Sequence, residues 1–143
     1  RFDVHAKGDR LIYIDDYAHH PREIEASLSS IREMWPDKRL TVAFQPHLYS
    51  RTNDFYPEFA KSLNLADQVI LLDIYPAREQ PIPGVTSGLI ADRLTVPFVR
   101  VTKEEFPEYV KENVKEGVFM TVGAGDIDRF IPIFTEMFGG TDC

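Results

Sequence analysis

Two short segments of the sequence concentrate side chains that could do chemistry. The first, Asp15-Asp16-Tyr17-Ala18-His19-His20-Pro21, places two carboxylates, a phenol and two imidazoles within six residues. The second, Gln45-Pro46-His47-Leu48-Tyr49-Ser50-Arg51-Thr52, carries an imidazole, a phenol and a guanidinium. Groups of these types bind anionic substrates, stabilise developing negative charge and move protons. Both segments are therefore candidates for one binding or catalytic site.

Each segment follows an apolar run that is typical of a buried strand. The run at 11–14 leads into the first segment, and the run at 40–44 leads into the second. In a sheet of parallel strands, ligands bind beyond the carboxyl ends of the strands. We therefore expect two adjacent strands to bring His19, His47 and Arg51 together at one rim of the sheet.

Strand and helix patterns alternate along the rest of the chain. Strands are predicted at 1–5, 11–15, 40–44, 67–72, 98–101 and 118–122. Helices are predicted at 21–35, after a loop at 45–53, and at 89–94, 106–115 and 127–138, the last with a kink or a late start because of Pro132. This pattern predicts an α/β fold: a Rossmann-like three-layer sandwich whose mostly parallel sheet has about six strands and an antiparallel edge hairpin at the N-terminus.

Residues 1–143 have the size of one domain, with 139–143 expected to be a disordered tail. Since Arg1 is not an initiator methionine, we interpret the chain as a piece of a larger protein.

A formal net charge of -7 argues against nucleic-acid binding, and no apolar run reaches the ~20 residues of a membrane span. The only cysteine, Cys143, has no intrachain partner, which agrees with a cytoplasmic location.

Local evidence leaves structural roles open for several of these residues. An aspartate of the first segment could cap the following helix, as could Thr52 or Asn53 in the second, and Arg51 could form a salt bridge. No CxxC or HExxH spacing supports a metal site, so none is predicted from the histidines. The sequence Gly-Ala-Gly-Asp at 123–126 is interpreted as a tight turn and not as a phosphate-binding loop. The carboxylate of Asp126 in the N-cap position would repel phosphate.

Four segments, taken in order, resemble one family. They are DDYAHHP at 15–21, FQPHLYSRT at 44–52, YPAREQPIPGV at 75–85 and GAGDI at 123–127. Together they resemble the C-terminal domain of the Mur ligases, and the histidines of the first two resemble the branch that adds L-alanine to UDP-N-acetylmuramate. The resemblance implies a bacterial cytoplasmic enzyme of peptidoglycan synthesis with separate N-terminal and central domains. It also implies UDP-N-acetylmuramate, L-alanine and ATP as substrates, Mg2+ held mainly by the central domain, and no activity for this chain alone.

The resemblance also implies roles for individual residues. Asp16 resembles the acid that contacts the ribose of ATP. Tyr17, His19, His47 and Arg51 resemble the groups around the muramoyl carboxyl and the incoming alanine, with His19 or His47 as the catalytic group. One departure is Leu48, because many members of the family have an arginine there, and its loss removes a cation near the substrate.

Two other functions fit parts of the pattern. A phosphorelay receiver domain would use Asp15, Asp16 and Asp73 as its acids, although it needs a lysine after the last strand, where this chain has Gly123. A non-catalytic nucleotide-binding module would use the same cleft without chemistry.

Overall fold

A six-stranded sheet with helices on both faces forms the structure, a computed structural model that describes residues 2–139. The strands are β1 (Phe2–Lys7), β2 (Leu11–Asp16), β3 (Leu40–Phe44), β4 (Gln68–Leu71), β5 (Phe98–Arg100) and β6 (Gly117–Val122). The helices are α1 (Pro21–Met34), α2 (Tyr49–Leu63), α3 (Gly88–Ala91), α4 (Phe106–Asn113) and α5 (Ile131–Gly139), and a 3-10 helix at Asp126–Phe130 precedes α5.

The strand order across the sheet is β1-β2-β6-β3-β4-β5. Strand β1 pairs with β2 in the antiparallel sense, and the other four pairs are parallel. The predicted α/β class, the mostly parallel six-stranded sheet and the N-terminal edge hairpin are therefore confirmed. Within residues 2–139, no helix combines the length and the apolar character needed to cross a membrane.

Each face of the sheet is covered by a layer of helices with its own apolar core. On one face, Ile24 and Leu28 of α1 pack with Phe59 of α2 in the same buried cluster as the strands. On the other face, Phe106 of α4 and Phe134 of α5 belong to a second buried cluster. Burial of one such side chain contributes roughly 1.5–3 kcal/mol. The apolar stripes read from the sequence are therefore the surfaces that hold the three layers together.

Helix α2 begins earlier than the sequence predicted. It starts at Tyr49, so residues 49–53 belong to the helix and not to a loop. The N-cap is Leu48, which has a positive φ of 74° and makes no side-chain cap bond. Thr52 instead donates its hydroxyl to the Leu48 carbonyl at 2.9 Å. The predicted capping by Thr52 or Asn53 was wrong, and Arg51 consequently projects from the first turn of a helix.

The C-terminal segment follows the prediction in part. The α-helix starts late, at Ile131, and Pro132 is its second residue, where its missing N–H has no intrahelical partner to lose. The helix ends at Gly139, one residue beyond the predicted end at 138. The remaining residues of the predicted tail, 140–143, lie outside the described residues.

Strand β6 lies between β2 and β3, which the sequence had placed side by side. The strand ends nevertheless lie in one row, because Val122 pairs with Asp16 on one side and with Phe44 on the other. Phe44 in turn pairs with Leu71 of β4. Four parallel strands therefore end at the same level and define one rim, from which the predicted functional segments emerge.

We predict that Gly117→Ala lowers the free energy of unfolding by about 2 to 4 kcal/mol. Gly117 has a φ of +89°, and an added Cβ would overlap the Arg39 carbonyl oxygen. Gly84 has a similar φ of +81° but open space around it, so Gly84→Ala should cost only about 1 kcal/mol of backbone strain. Urea denaturation measures both changes. Equal losses in the two variants would contradict the steric explanation.

Candidate functional site

The two histidine-bearing segments meet at the rim formed by the strand ends. The rings of His19 and His47 lie 6.2 Å apart, edge to face, and Tyr17 lies edge to face with His19 at 5.9 Å. Arg51 places Nη1 3.2 Å from Nδ1 of His47. The predicted convergence is confirmed, although it spans β6 instead of joining neighbouring strands. The turn after β6, which lies between β2 and β3, is Gly-Ala-Gly at 123–125 and carries no large side chain of its own.

Asp16 is buried beneath the first of these segments. Its Oδ1 accepts a hydrogen bond from the Ala18 amide at 3.0 Å, and its Oδ2 accepts one from the Ser27 hydroxyl of α1. These bonds hold the loop after β2 against the first helix. Tyr17, in contrast, is 54% exposed. The loop therefore has a fixed base at Asp16 and an accessible ring beside it.

His19 is oriented by the backbone around it. Glu23 Oε1 accepts hydrogen bonds from the amides of His19 and His20, each at 3.1 Å, and the two bonds from these amides help to lower the pKa of Glu23. Nδ1 of His19 lies 3.2 Å from the Tyr17 carbonyl oxygen. Because a carbonyl can only accept, Nδ1 carries the proton and Nε2 of the neutral ring keeps a lone pair. His19 is thus set up to accept a proton through Nε2.

His47 has the opposite arrangement. Arg51 has no acceptor atom, so its guanidinium donates to Nδ1 of His47, and the proton of the neutral imidazole resides on Nε2. Burial lowers the pKa of His47, and the positive charge of Arg51 and the His19 ring lower it further. His47 is therefore held neutral, as a hydrogen-bond donor through Nε2.

Two residues that the sequence did not single out support His47 and Arg51. The ring of Tyr75 stacks on His47 with centroids 5.7 Å apart, and its carbonyl accepts from the Leu48 amide at 2.8 Å. The Glu79 carboxylate accepts from both the amide, at 3.0 Å, and the hydroxyl of Ser50, and these bonds lower the pKa of Glu79. Both residues follow β4 at the same rim. Their position after a strand was the sequence signal that could have identified them.

A buried hydrogen-bond network supports the rim from below. The Gln45 amide group donates to Asp126 at 2.6 Å and accepts from the Ile127 amide at 2.9 Å. Lys103 donates to the other Asp126 oxygen at 2.7 Å. Burial opposes ionisation of Asp126, but the bonds from Lys103 and Gln45 prevail and lower its pKa.

The N-cap of the 3-10 helix is Gly125, so the predicted N-cap role of Asp126 was wrong.

The strand order contradicts the receiver alternative. Receivers of the flavodoxin-like type have the order 2-1-3-4-5, in which the acids after the first strand lie beside the acceptor after the third. Here β6 and β3 lie between β2, which ends at Asp16, and β4, which precedes Asp73. At the usual strand spacing the two groups of acids are about 14 Å apart. They cannot form one phosphoacceptor site.

Comparisons with known sequences agree on one family. The model of the Mur ligase, glutamate ligase domain matches residues 1–125. A UDP-N-acetylmuramate-L-alanine ligase from Phocaeicola vulgatus is 54% identical over 134 residues, which cover 92% of this chain and 29% of that protein. One from Parabacteroides distasonis is 51% identical over 137 residues, covering 96% and 30%. The chain thus spans less than a third of the length of these relatives.

Solved structures share the fold. The UDP-N-acetylmuramate-alanine ligase of Thermotoga maritima matches with a TM-score of 0.69 at 30% identity, over 92% of this chain and 27% of that chain. Folylpolyglutamate synthase of the same organism matches with a TM-score of 0.66 at only 15% identity, over 96% and 32%. The second likeness is one of fold alone, so the fold by itself does not identify a function.

We predict that Arg51→Gln raises the pKa of His47 toward its ordinary value, because the variant removes the adjacent positive charge while burial remains. Proton NMR titration of the imidazole resonances measures this change. Lys115→Gln, which removes a cation at the opposite end of β6, is the control and should leave the pKa of His47 unchanged. An unaltered His47 titration in Arg51→Gln would contradict the contact between the two side chains.

Proposed function

The chain belongs to the Mur ligase family, and from this premise we propose that it is the C-terminal domain of a UDP-N-acetylmuramate-L-alanine ligase. The complete enzyme uses ATP in the cytoplasm to join L-alanine to UDP-N-acetylmuramate for peptidoglycan synthesis. The names of the relatives described above support this assignment. The observation that carries it is the contact between His19 and His47 across the rim, with Arg51 bonded to His47.

The proposed reaction has two chemical steps. The lactyl carboxylate of UDP-N-acetylmuramate takes the terminal phosphoryl group of ATP, which gives an acyl phosphate and ADP. The amine of L-alanine then attacks the carbonyl carbon, and the tetrahedral intermediate expels phosphate to leave the amide. The second step develops negative charge on the carbonyl oxygen and releases a proton from the attacking nitrogen, so it needs a hydrogen-bond donor and a base.

The rim supplies both groups. His47 presents Nε2–H and is held neutral, so it can donate to the developing oxyanion. His19 keeps a lone pair on Nε2 and can take the proton of the alanine amine. The guanidinium of Arg51 holds the carboxylate or the acyl phosphate by charge-assisted hydrogen bonds. These opposite tautomers support the proposal that His47 is the donor and His19 is the base.

The contacts to ATP divide between this chain and the rest of the enzyme. The sequence has no GxxxxGK[ST] loop, so the triphosphate and Mg2+ are held by the central domain. Mg2+ neutralises the transferring phosphoryl group when it is bound. Asp16 is proposed to contact the ribose. Its oxygens accept from Ala18 and Ser27 and the residue is only 2% exposed, so a ribose hydroxyl reaches it only if the loop after β2 shifts.

The domain also acts as a lid. An acyl phosphate is lost to hydrolysis if water reaches it, and closure of a rigid domain over the substrates keeps water out. The rim is suited to this role because Asp16, Glu23 and Glu79 fix its loops by hydrogen bonds to backbone amides and hydroxyls. Leu48 takes part in these contacts only through its backbone. The positive charge that faces the substrate is supplied by Arg51.

We predict that the 143-residue chain alone forms no ligation product, because it lacks the phosphate-binding loop. The test incubates the purified chain with ATP, Mg2+, L-alanine and UDP-N-acetylmuramate and measures phosphate release. The protein with all three domains serves as the positive control. Alanine-dependent phosphate release by the chain alone would contradict the division of roles between domains.

In the three-domain enzyme, His47→Gln should lower kcat for ligation by about 10²- to 10³-fold, the usual cost of losing one oxyanion donor. His20→Gln is the matched control: it changes a histidine of the same rim whose ring packs on Phe55 at 5.3 Å and not on His47. The control should keep activity within about threefold. Equal losses in both variants would sink the assignment of His47.

His19→Gln should change the pH profile as well as the rate. A base must be deprotonated to act, so the rise of kcat with pH on the acidic side of the wild-type profile should disappear in this variant. Activity should fall by about 10²- to 10⁴-fold. A variant profile that keeps the wild-type acidic limb would show that another group is the base.

A further inference from the structure

The N-terminal hairpin holds a cluster of three ligating side chains that the proposed reaction does not use. Asp3 lies opposite Asp15 across the antiparallel pair of β1 and β2. His5 is the extra residue of a β-bulge between Val4 and Ala6. Bulges redirect side chains, and this one adds an imidazole to the two carboxylates. One ligand atom from each of the three residues lies within 4.8 Å of the others.

The surroundings of the cluster favour a cation. Nε2 of His5 is shut off from solvent and has no hydrogen-bond partner among residues 2–139, which is costly for a ring nitrogen. Thr121 donates its hydroxyl to Asp15 at 3.0 Å and so fixes the direction of that carboxylate. A cation bound by one ligand atom from each residue would balance the two carboxylates and coordinate the imidazole.

We propose that Asp3, His5 and Asp15 bind one divalent transition-metal ion, with Zn2+ as the representative. One imidazole and two carboxylates suit zinc or manganese, whereas Mg2+ prefers oxygen ligands and retained water. Three protein ligands leave a position for water or another donor. In a tetrahedral zinc site, neighbouring ligand atoms are roughly 3.4 Å apart, so binding would draw these ligand atoms closer together by up to about 1.4 Å.

The position of this site gives it a structural effect. A bound ion ties the bulge of β1 to the end of β2, one residue before Asp16 and the loop that carries Tyr17 and His19. The proposed metal site shares no residue with the histidines of the rim. Metal binding should therefore stabilise the hairpin without depending on the rim histidines.

The test is a titration of the chelator-treated protein with ZnCl2, followed by calorimetry. The expected result is one zinc ion per chain and a rise in Tm of several degrees. Asp3→Asn, His5→Gln and Asp15→Asn should each weaken zinc binding at least about tenfold, as loss of one ligand does, and remove the rise in Tm. Circular dichroism checks that each variant is folded. Only the folded variants are used to judge whether zinc binding is lost.

The controls separate this site from other zinc ligands. Asp9→Asn changes a carboxylate of the same hairpin outside the cluster, and it should bind zinc like the wild type. The double variant His19→Gln with His47→Gln should also still bind one ion. The proposal is overturned if the wild type binds no zinc, or if the double variant loses binding while folded His5→Gln retains it.

Discussion

The register of the parallel strands is the constraint on which the whole rim depends. Asp16, Val122 and Phe44 stand in one row, so the loops after β2, β6 and β3 leave the sheet at the same height. A slip of one residue in either pairing would move a loop by about 3.3 Å and turn its strand's side chains to the other face. The buried apolar faces of β2 and β3 oppose such a slip, and thereby hold the two histidines within reach of each other.

Much of this arrangement could be predicted from the sequence, because it depends on local patterns. Apolar runs identified the strands, and the polar residues directly after them identified the rim. The position of β6 could not be predicted, because strand order depends on pairing between distant segments. The start of α2 was missed since Leu48 is not a residue type that caps helices. Tyr75 and Glu79 could be noticed only from their position after β4 and the resemblance of their segment, because their contacts with His47 and Ser50 join parts of the chain that are distant in sequence.

The chemistry of the rim arises from the neighbours of each imidazole rather than from the histidines themselves. A backbone carbonyl fixes the proton of His19 on one nitrogen, and a guanidinium fixes the proton of His47 on the other. The residue types could be read from the sequence, but this division could not. The same fold occurs in the folylpolyglutamate synthase of Thermotoga maritima at 15% identity, so the fold alone does not define this chemistry.

The central place of β6 has a consequence for the order of folding. Strand β2 pairs on its inner side with β6, which is synthesised on the order of a hundred residues later. Strand β3 also pairs with β6. Until that segment leaves the ribosome, the growing polypeptide has the pair β1-β2 and the separate three-stranded unit β3-β4-β5, each with an open edge that is prone to aggregation. Strand β6 thus completes the six-stranded sheet and the rim that carries the two histidine-bearing segments in a single event.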